Sequence, residues 1–127
     1  MAGLHFSCGD WMGDDKSANS LFDIIEKELE AFITDEEKPA WRKQFLVPFA
    51  RQARSRQLKL KPEMMRVIVK PLQRYQDALV QKLGLPNADA DPEEWDDDAW
   101  RLYCVRDLLR GDKVCQSTGK PIIVCFA

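Results

Sequence analysis

The chain has 127 residues and a net charge of −2; 45% of its residues are hydrophobic and 31% are charged. A chain of that length can bury a core without disulfides or metal, and its composition excludes a disordered tail. No apolar run approaches the ~20 residues of a transmembrane helix, and no signal peptide is visible. We therefore expect one helical domain over residues 1–127, located in the cytoplasm, with four reduced cysteines.

The first predicted element is a short strand at Gly3–Ser7, followed by a loop. A helix is then predicted from about Ser20 to Ile33, because Ser20 and Asp23 have the spacing of a capping box. Its apolar residues recur every three or four positions and define one face: Phe22, Ile25, Leu29, Phe32 and Ile33. Such a helix buries that face, so we expect a core helix with an acidic exterior.

The second helix is predicted to begin at Lys38-Pro39, because proline suits the first helical position. Aromatic residues repeat every four positions and define its buried face: Trp41, Phe45 and Phe49. Pro48 lies within this pattern and cannot donate a backbone hydrogen bond. It therefore kinks the helix or splits it near Val47, and the unbroken apolar face favours a kink.

Residues 58–61 alternate like a short strand, but we interpret them as a linker into Pro62. The third helix is predicted from Pro62 to Leu83, with one apolar face: Met65, Ile68, Leu72, Tyr75, Leu79 and Leu83. Pro71 should bend this helix. The run Gly84-Leu85-Pro86 supplies a strong stop, since glycine ends helices and proline cannot continue them.

The fourth helix is predicted to begin at Asp91-Pro92 and to end at Arg110-Gly111. Residues 112–116 and 121–126 then predict two strands of a hairpin around the loop 117–120. The N-terminal strand could pair with the last of them. The predicted fold is mainly α, with a bundle of about four helices, two of them proline-kinked, and a small hairpin or sheet from the C-terminal tail and the N-terminal segment.

The charges are segregated along the chain. Residues 42–74 contain ten Lys and Arg against one acid, giving +9, whereas residues 10–37 carry −8 and residues 75–98 carry −7. In one interpretation these regions pack together and their fields partly cancel. In a second, the basic middle binds an acidic protein surface, or the acidic flanks mimic a polyanion, as in antitoxins and immunity proteins. In a third, residues 51–74 contact nucleic-acid phosphates.

The cations assigned to partner binding are Arg51, Arg54, Arg56, Lys59, Lys61, Arg66, Lys70 and Arg74. The last three recur every four residues on the third helix, as a row that follows phosphates would. We add Trp11, Trp95 and Trp100, because an exposed Trp beside charged residues is typical of an interface anchor. The pI near 5.4 and the acidic flanks favour a protein partner, with nucleic acid as the alternative.

The single histidine limits the catalytic options, because a Cys–His or Ser–His–Asp arrangement would have to use His5. Cys8 lies three residues later, so on a strand the two side chains point to opposite faces. A zinc site from His5, Cys8, Cys115 and Cys125 has no common ligand spacing. We therefore predict a non-catalytic binding or regulatory protein without metal or cofactor, and keep a cysteine-dependent enzyme as a third hypothesis.

Overall fold

A computed structural model describes residues 3–13, 16–52, 55, 57–83 and 97–126. Within these ranges the chain forms five strands: β1 (Gly3–Cys8), β2 (Trp11–Met12), β3 (Lys16–Ser17), β4 (Gln57–Leu60) and β5 (Ile122–Phe126). The same ranges contain four helices: α1 over residues 18–32, α2 over residues 38–52, α3 (Pro62–Leu83) and α4 (Asp97–Thr118). The mainly α fold with a small sheet is therefore confirmed.

The sheet is antiparallel and joins the first described strand to the last. Its order is β2-β1-β5-β4, and β3 pairs with the start of β1. Central strand β5 pairs with β1 on one side, with Cys125 opposite His5, and with β4 on the other, with Cys125 opposite Gln57. The predicted contribution of both the N-terminal segment and the C-terminal tail to one sheet is thus confirmed.

The sheet has one apolar face and one polar face, because successive side chains of a strand point in opposite directions. The helices pack on the face that carries the fully buried residues Leu4, Phe6, Cys8, Leu58, Leu60, Ile122 and Val124. The opposite face carries half-buried and exposed residues, among them His5, Ser7, Cys125, Gln57 and Lys59. The core therefore lies between the sheet and the helices.

Helix α1 is irregular in its hydrogen bonding. It begins as α-helix over Ala18–Asp23, widens to π-helix over Ile24–Glu28 and tightens to 3-10 helix over Leu29–Phe32. These changes rotate the side chains away from ideal positions. Leu21, Ile24, Ile25 and Leu29 are fully buried, and the predicted face member Phe22 is half-buried.

Helix α2 continues through Pro48 without a break. Its middle, Trp41–Leu46, is π-helical, and the Val47 N–H bonds to the carbonyl of Arg42, five residues back. The wider turn leaves room for the proline ring, and the helix continues although Pro48 has no N–H to donate. The alternative of a helix split near Val47 is therefore wrong.

The start of α2 is fixed by a reciprocal capping pair that the sequence analysis overlooked. The Thr34 N–H donates to Glu37 Oε1 (2.9 Å), and the Glu37 N–H donates to Thr34 Oγ1 (3.2 Å). Thr and Glu three residues apart form the usual capping box. This capping box closes the turn that precedes α2, and the predicted start of the helix at Lys38-Pro39 is confirmed.

The buried face of α3 is confirmed over most of its length. Met65, Ile68, Leu72, Tyr75 and Leu79 are almost completely buried, and Pro71 lies inside a continuous helix. Leu83, the predicted last member of the face, is 36% exposed, because it lies in the final turn of the helix. Pro71 therefore does not interrupt α3.

Residues 57–60 form a strand, so the interpretation of residues 58–61 as a linker is wrong for all but Lys61. Leu58 and Leu60 are fully buried, Lys59 between them is exposed, and β4 is hydrogen-bonded to β5. The local pattern is too short to distinguish a strand from an extended linker. The strand exists because β5, some 60 residues away in the sequence, provides its partner.

Helix α4 continues through Gly111 to Thr118, so both the predicted end at Arg110-Gly111 and the predicted strand at 112–116 are wrong. Gly111 is buried inside the helix, where an added Cβ would lie 2.9 Å from Cζ3 of Trp11. The helix ends instead at Gly119, which has φ +73° and donates its N–H to the Cys115 carbonyl (2.9 Å). The predicted C-terminal hairpin therefore does not form, and β5 pairs instead with β1 and β4.

Several sequence predictions lie outside the described residues. These are the end of the third helix at Gly84-Leu85-Pro86, the start of the fourth at Asp91-Pro92, and the side chains of Arg54, Arg56 and Trp95. Within the described part of the chain, no helix combines the length and apolar character that crossing a bilayer requires.

The buried carboxylate of Asp112 belongs to a hydrogen-bond network that joins the C-terminal part of α4 to the start of α3. Asp112 is 7% exposed and its Oδ1 accepts a hydrogen bond from Gln116 Nε2 (3.2 Å). Gln116 Nε2 also donates to the Pro62 carbonyl (2.9 Å), and Gln116 Oε1 accepts from Arg66 Nε (2.9 Å). Burial raises the pKa of Asp112 above its ordinary value of 3.8, against the hydrogen bond from Gln116 and the charge of Arg66.

Asp112→Asn should raise the free energy of unfolding at neutral pH. Because the folded-state pKa is raised, the folded protein binds this proton more readily than the unfolded chain, and stability falls as pH rises through that pKa. Asn cannot ionise and still offers an oxygen to Gln116. Urea unfolding should show the gain at pH 7 and its loss below pH 3.8, with the exposed Asp77→Asn as control. A less stable Asp112→Asn protein at neutral pH would contradict this prediction.

Candidate functional site

Three of the predicted binding cations lie together in a cleft between the C-terminal half of α2, strand β4 and the first turn of α3. The cleft has a volume of about 790 Å³, and Arg51, Lys59 and Lys61 line it with exposed side chains. None of the ion pairs among the described residues involves these three cations. Their charge is therefore available to a ligand.

The rest of the cleft is apolar or neutral, apart from one acid. Pro48 provides apolar surface beside the almost completely buried Met64, Gln44 and Gln52 provide amides, and Glu63 is the acidic residue of the lining. The α2 residues lie four, three and one positions apart, which places them on one side of the helix. A site of this kind can take an acidic ligand that also carries apolar groups.

The cleft runs along the edge of the sheet, where Gln52 covers strand β4. Gln52 Oε1 accepts a hydrogen bond from the Lys59 N–H (2.8 Å), and Gln52 Nε2 donates to the Lys59 carbonyl (3.0 Å). Gln52 Nε2 also lies 3.4 Å from the Pro48 carbonyl. The side-chain amide thus satisfies the N–H and the carbonyl of Lys59, which would otherwise stay unpaired at the edge of the sheet.

Two members of the predicted row on α3 are hydrogen-bonded to residues outside that helix. Arg66 bonds to Gln116 on α4, and Arg74 bonds to Glu37 through two contacts (2.6 and 3.2 Å) and to the Phe32 carbonyl (2.8 Å). Lys70 is exposed between them. None of the three lines the cleft.

The Glu37–Arg74 pair shows where part of the segregated charge is used. The Arg74 guanidinium, together with the Thr34 N–H, lowers the pKa of Glu37 from 4.5 to about 2. Lys82 and Arg101 similarly hold the pKa of Asp98 below its ordinary value, and Arg101 also reaches Asp23 (3.4 Å). One ion pair, Glu37–Arg74, therefore joins the acidic flank to the basic middle, and Asp23 and Asp98 pair with cations outside that middle. The cleft cations remain unpaired among the described residues.

The two described tryptophans of the predicted site are half-buried and lie away from the cleft. Trp11 packs against Gly111 of α4, and Trp100 lies edge-to-face with Tyr103, with ring centroids 6.2 Å apart. Trp41 is a core residue, as its position on the apolar face of α2 predicted. The structure therefore does not bring the tryptophans together with the cleft cations.

A second basic groove, between α3 and α4, was missed by the sequence analysis. It has a volume of about 280 Å³ and is lined by Gln73, Gln76, Leu109 and three cations: Arg106, Arg110 and Lys113. Their spacing of four and three residues in the sequence could have indicated a shared helix face. Arg110 lies 4.0 Å from Asp107, so this groove is less free of acidic partners than the cleft.

The thiols and the histidine do not assemble into the sites considered from the sequence. Cys8 is buried on the inner face of β1, where its Sγ contacts the Lys120 carbonyl (3.4 Å), whereas His5 lies on the outer face. Burial raises the pKa of the neighbouring Cys115 to about 11. Among the described residues, no three His, Cys, Asp or Glu side chains lie close enough together to hold a metal ion.

Comparison with protein-family models, with curated proteins and with solved structures finds no match to this chain. No activity is therefore carried over from another protein. The geometry and charge of the cleft are the basis for the function proposed next.

Proposed function

We propose that this protein is a non-catalytic binding or regulatory protein whose cleft receives an acidic segment of another protein. The observation that carries the proposal is the convergence of Arg51, Lys59 and Lys61 on one cleft, unpaired among the described residues. The planar guanidinium of Arg51 can engage a carboxylate through two hydrogen bonds, and the lysines add charge on the facing wall. We place the protein in the cytoplasm, which its four free cysteines support.

A protein segment suits this cleft better than nucleic acid. Pro48 is half-buried and offers apolar surface to aliphatic or aromatic side chains, whereas phosphate contacts need no apolar floor. The α3 row that would have followed a phosphate backbone is divided, because Arg74 is engaged by Glu37. Nucleic acid remains the alternative against which the test is designed.

The test compares two double charge reversals, one inside the cleft and one outside it. Arg51→Glu with Lys61→Glu changes the cleft, and Arg42→Glu with Lys43→Glu makes the same change of charge at exposed α2 positions outside it. The probe is a short fluorescent peptide in which glutamate alternates with valine. We expect the cleft variant to bind the peptide at least about tenfold more weakly, and the control to bind within about twofold of wild type.

Equal losses of peptide affinity in both variants would show that binding depends only on the long-range electrostatic field, and would overturn the proposal. Salt titrations with generic duplex and single-stranded DNA form the second arm. Tight DNA binding that falls steeply with salt and displaces the peptide would favour the nucleic-acid alternative instead. Circular dichroism of each variant confirms that the fold is retained.

A further inference from the structure

We infer that the acidic segment binds as an additional strand on β4, and that in the free protein the Gln52 side chain occupies the place of its backbone. The inference rests on the proposed function and specifies how the partner is held. It starts from the position of β4 at the end of the strand order β2-β1-β5-β4. One edge of β4 therefore faces the cleft instead of another strand.

The hydrogen-bonding direction of β4 is set by its pairing with β5. In an antiparallel ladder, both backbone groups of every second residue point to the same neighbour. The Lys59 N–H and carbonyl both bond to Gln52, so they point away from β5 and into the cleft. Gln57, two residues earlier, has the same orientation in the strand. The exposed edge thus presents the backbone donors and acceptors with which an incoming strand would pair.

At Lys59, the Gln52 side chain makes the two hydrogen bonds that the backbone of such a strand would make. Its primary amide offers one acceptor and one donor to the two groups of Lys59, at 2.8 and 3.0 Å, as a peptide backbone would. These bonds are exposed to solvent and are held by a single flexible side chain. A strand that displaces the amide replaces both bonds, so little hydrogen-bond energy is lost in the exchange.

The side chains around the edge determine which strand fits. Lys59 points outward from the sheet, so an acid opposite it would form a favourable cross-strand pair. Residues next to that acid point the other way, towards the side on which Pro48 and Met64 lie. The occupant is therefore an extended segment of a partner protein in which acidic residues alternate with apolar ones.

Gln52→Ala distinguishes strand addition from docking across the cleft. If the peptide replaces Gln52, removing the amide removes a competitor, and the glutamate–valine peptide should bind about three- to tenfold more tightly. If the peptide instead docks on Gln52, the variant should bind equally or more weakly, and the inference is overturned. Gln44→Ala is the matched control, since Gln44 lines the same cleft and has no bond to β4 among the described residues; its affinity should not rise.

Hydrogen exchange of the Lys59 amide supplies a readout that affinity alone does not. We expect this amide to lose protection in free Gln52→Ala protein and to regain it when the peptide is added. Peptide binding without renewed protection would overturn strand addition. It would leave the proposed function intact, provided that Arg51→Glu with Lys61→Glu still weakens binding at least about tenfold. A peptide that binds neither the wild type nor Gln52→Ala would overturn the proposed function itself.

Discussion

Gly111→Leu is expected to lower the free energy of unfolding by about 3 kcal/mol, because the new side chain has no space at the crossing of α4 and Trp11. An added Cβ alone would lie 2.9 Å from Cζ3 of Trp11 and 3.3 Å from Cδ1 of Ile122. Three further carbons must displace the indole or move α4 away from the sheet. Chemical unfolding of the variant and of wild type measures the loss.

Removing the indole should relieve that cost. In a Trp11→Ala background the space next to Gly111 is open, so the added leucine should cost at least about 1 kcal/mol less than in wild type. Gly119→Ala is a control of a different kind: its φ of +73° disfavours a side chain, although nothing lies within 4 Å of the added Cβ. Its cost of about 1 kcal/mol should not depend on Trp11. Equal costs for Gly111→Leu in both backgrounds would refute the steric explanation.

Leu60→Ala should cost about 3 kcal/mol, whereas Lys59→Ala should change stability by less than about 0.5 kcal/mol. Leu60 is the last residue of β4; it is fully buried and pairs with Ile122 of β5, whereas the Lys59 side chain is exposed. Lys59→Ala keeps the backbone groups that bond to Gln52. The unfolding free energies of the two variants therefore test whether buried and exposed side chains alternate here, as they do in a strand.

A linker at the same position gives a different result. In an extended connection without a partner strand, both substitutions would have small and similar effects. A loss below about 1 kcal/mol for Leu60→Ala would therefore indicate that residues 57–60 are not held in the sheet. Leu58→Ala provides the replicate, because Leu58 is also fully buried, opposite Val124.

The elements that sequence analysis predicted well are those with a long local pattern. The spacing of Met65, Ile68, Leu72, Tyr75 and Leu79 extends over four turns of α3, and each turn adds evidence for the same face. The β5 strand was predicted because its residues are apolar on both faces. Such patterns are read from neighbours in the chain and need no knowledge of the tertiary structure.

The errors arose where a distant partner decides the local structure. Strand β4 has two buried residues and needs β5 to be distinguishable from a linker. Gly111 was interpreted as a helix end, although its role is to let Trp11 approach α4. The widened turn before Pro48 likewise follows from packing and hydrogen bonding in the folded helix.

The candidate site was predictable only in part for the same reason. Charge counting singled out the segment that contains Arg51, Lys59 and Lys61, and the structure brings these three together. Charge counting could not show that Arg74, unlike these three, is paired with an acid, because its partner Glu37 lies on another element. Nor could it reveal Gln52, whose importance depends on facing the edge of β4 across the cleft.

The pairing of β1 with β5 determines when this protein can complete its fold. The two strands at the centre of the sheet are separated by more than 110 residues, so their contact closes nearly the entire described chain into one loop. Synthesis must reach residue 126 before β5 exists, and until then the inner faces of β1 and β4 have no central strand between them. We therefore expect helices α2 and α3 to form early and the sheet to close in a later, slower step, once β5 has been synthesised.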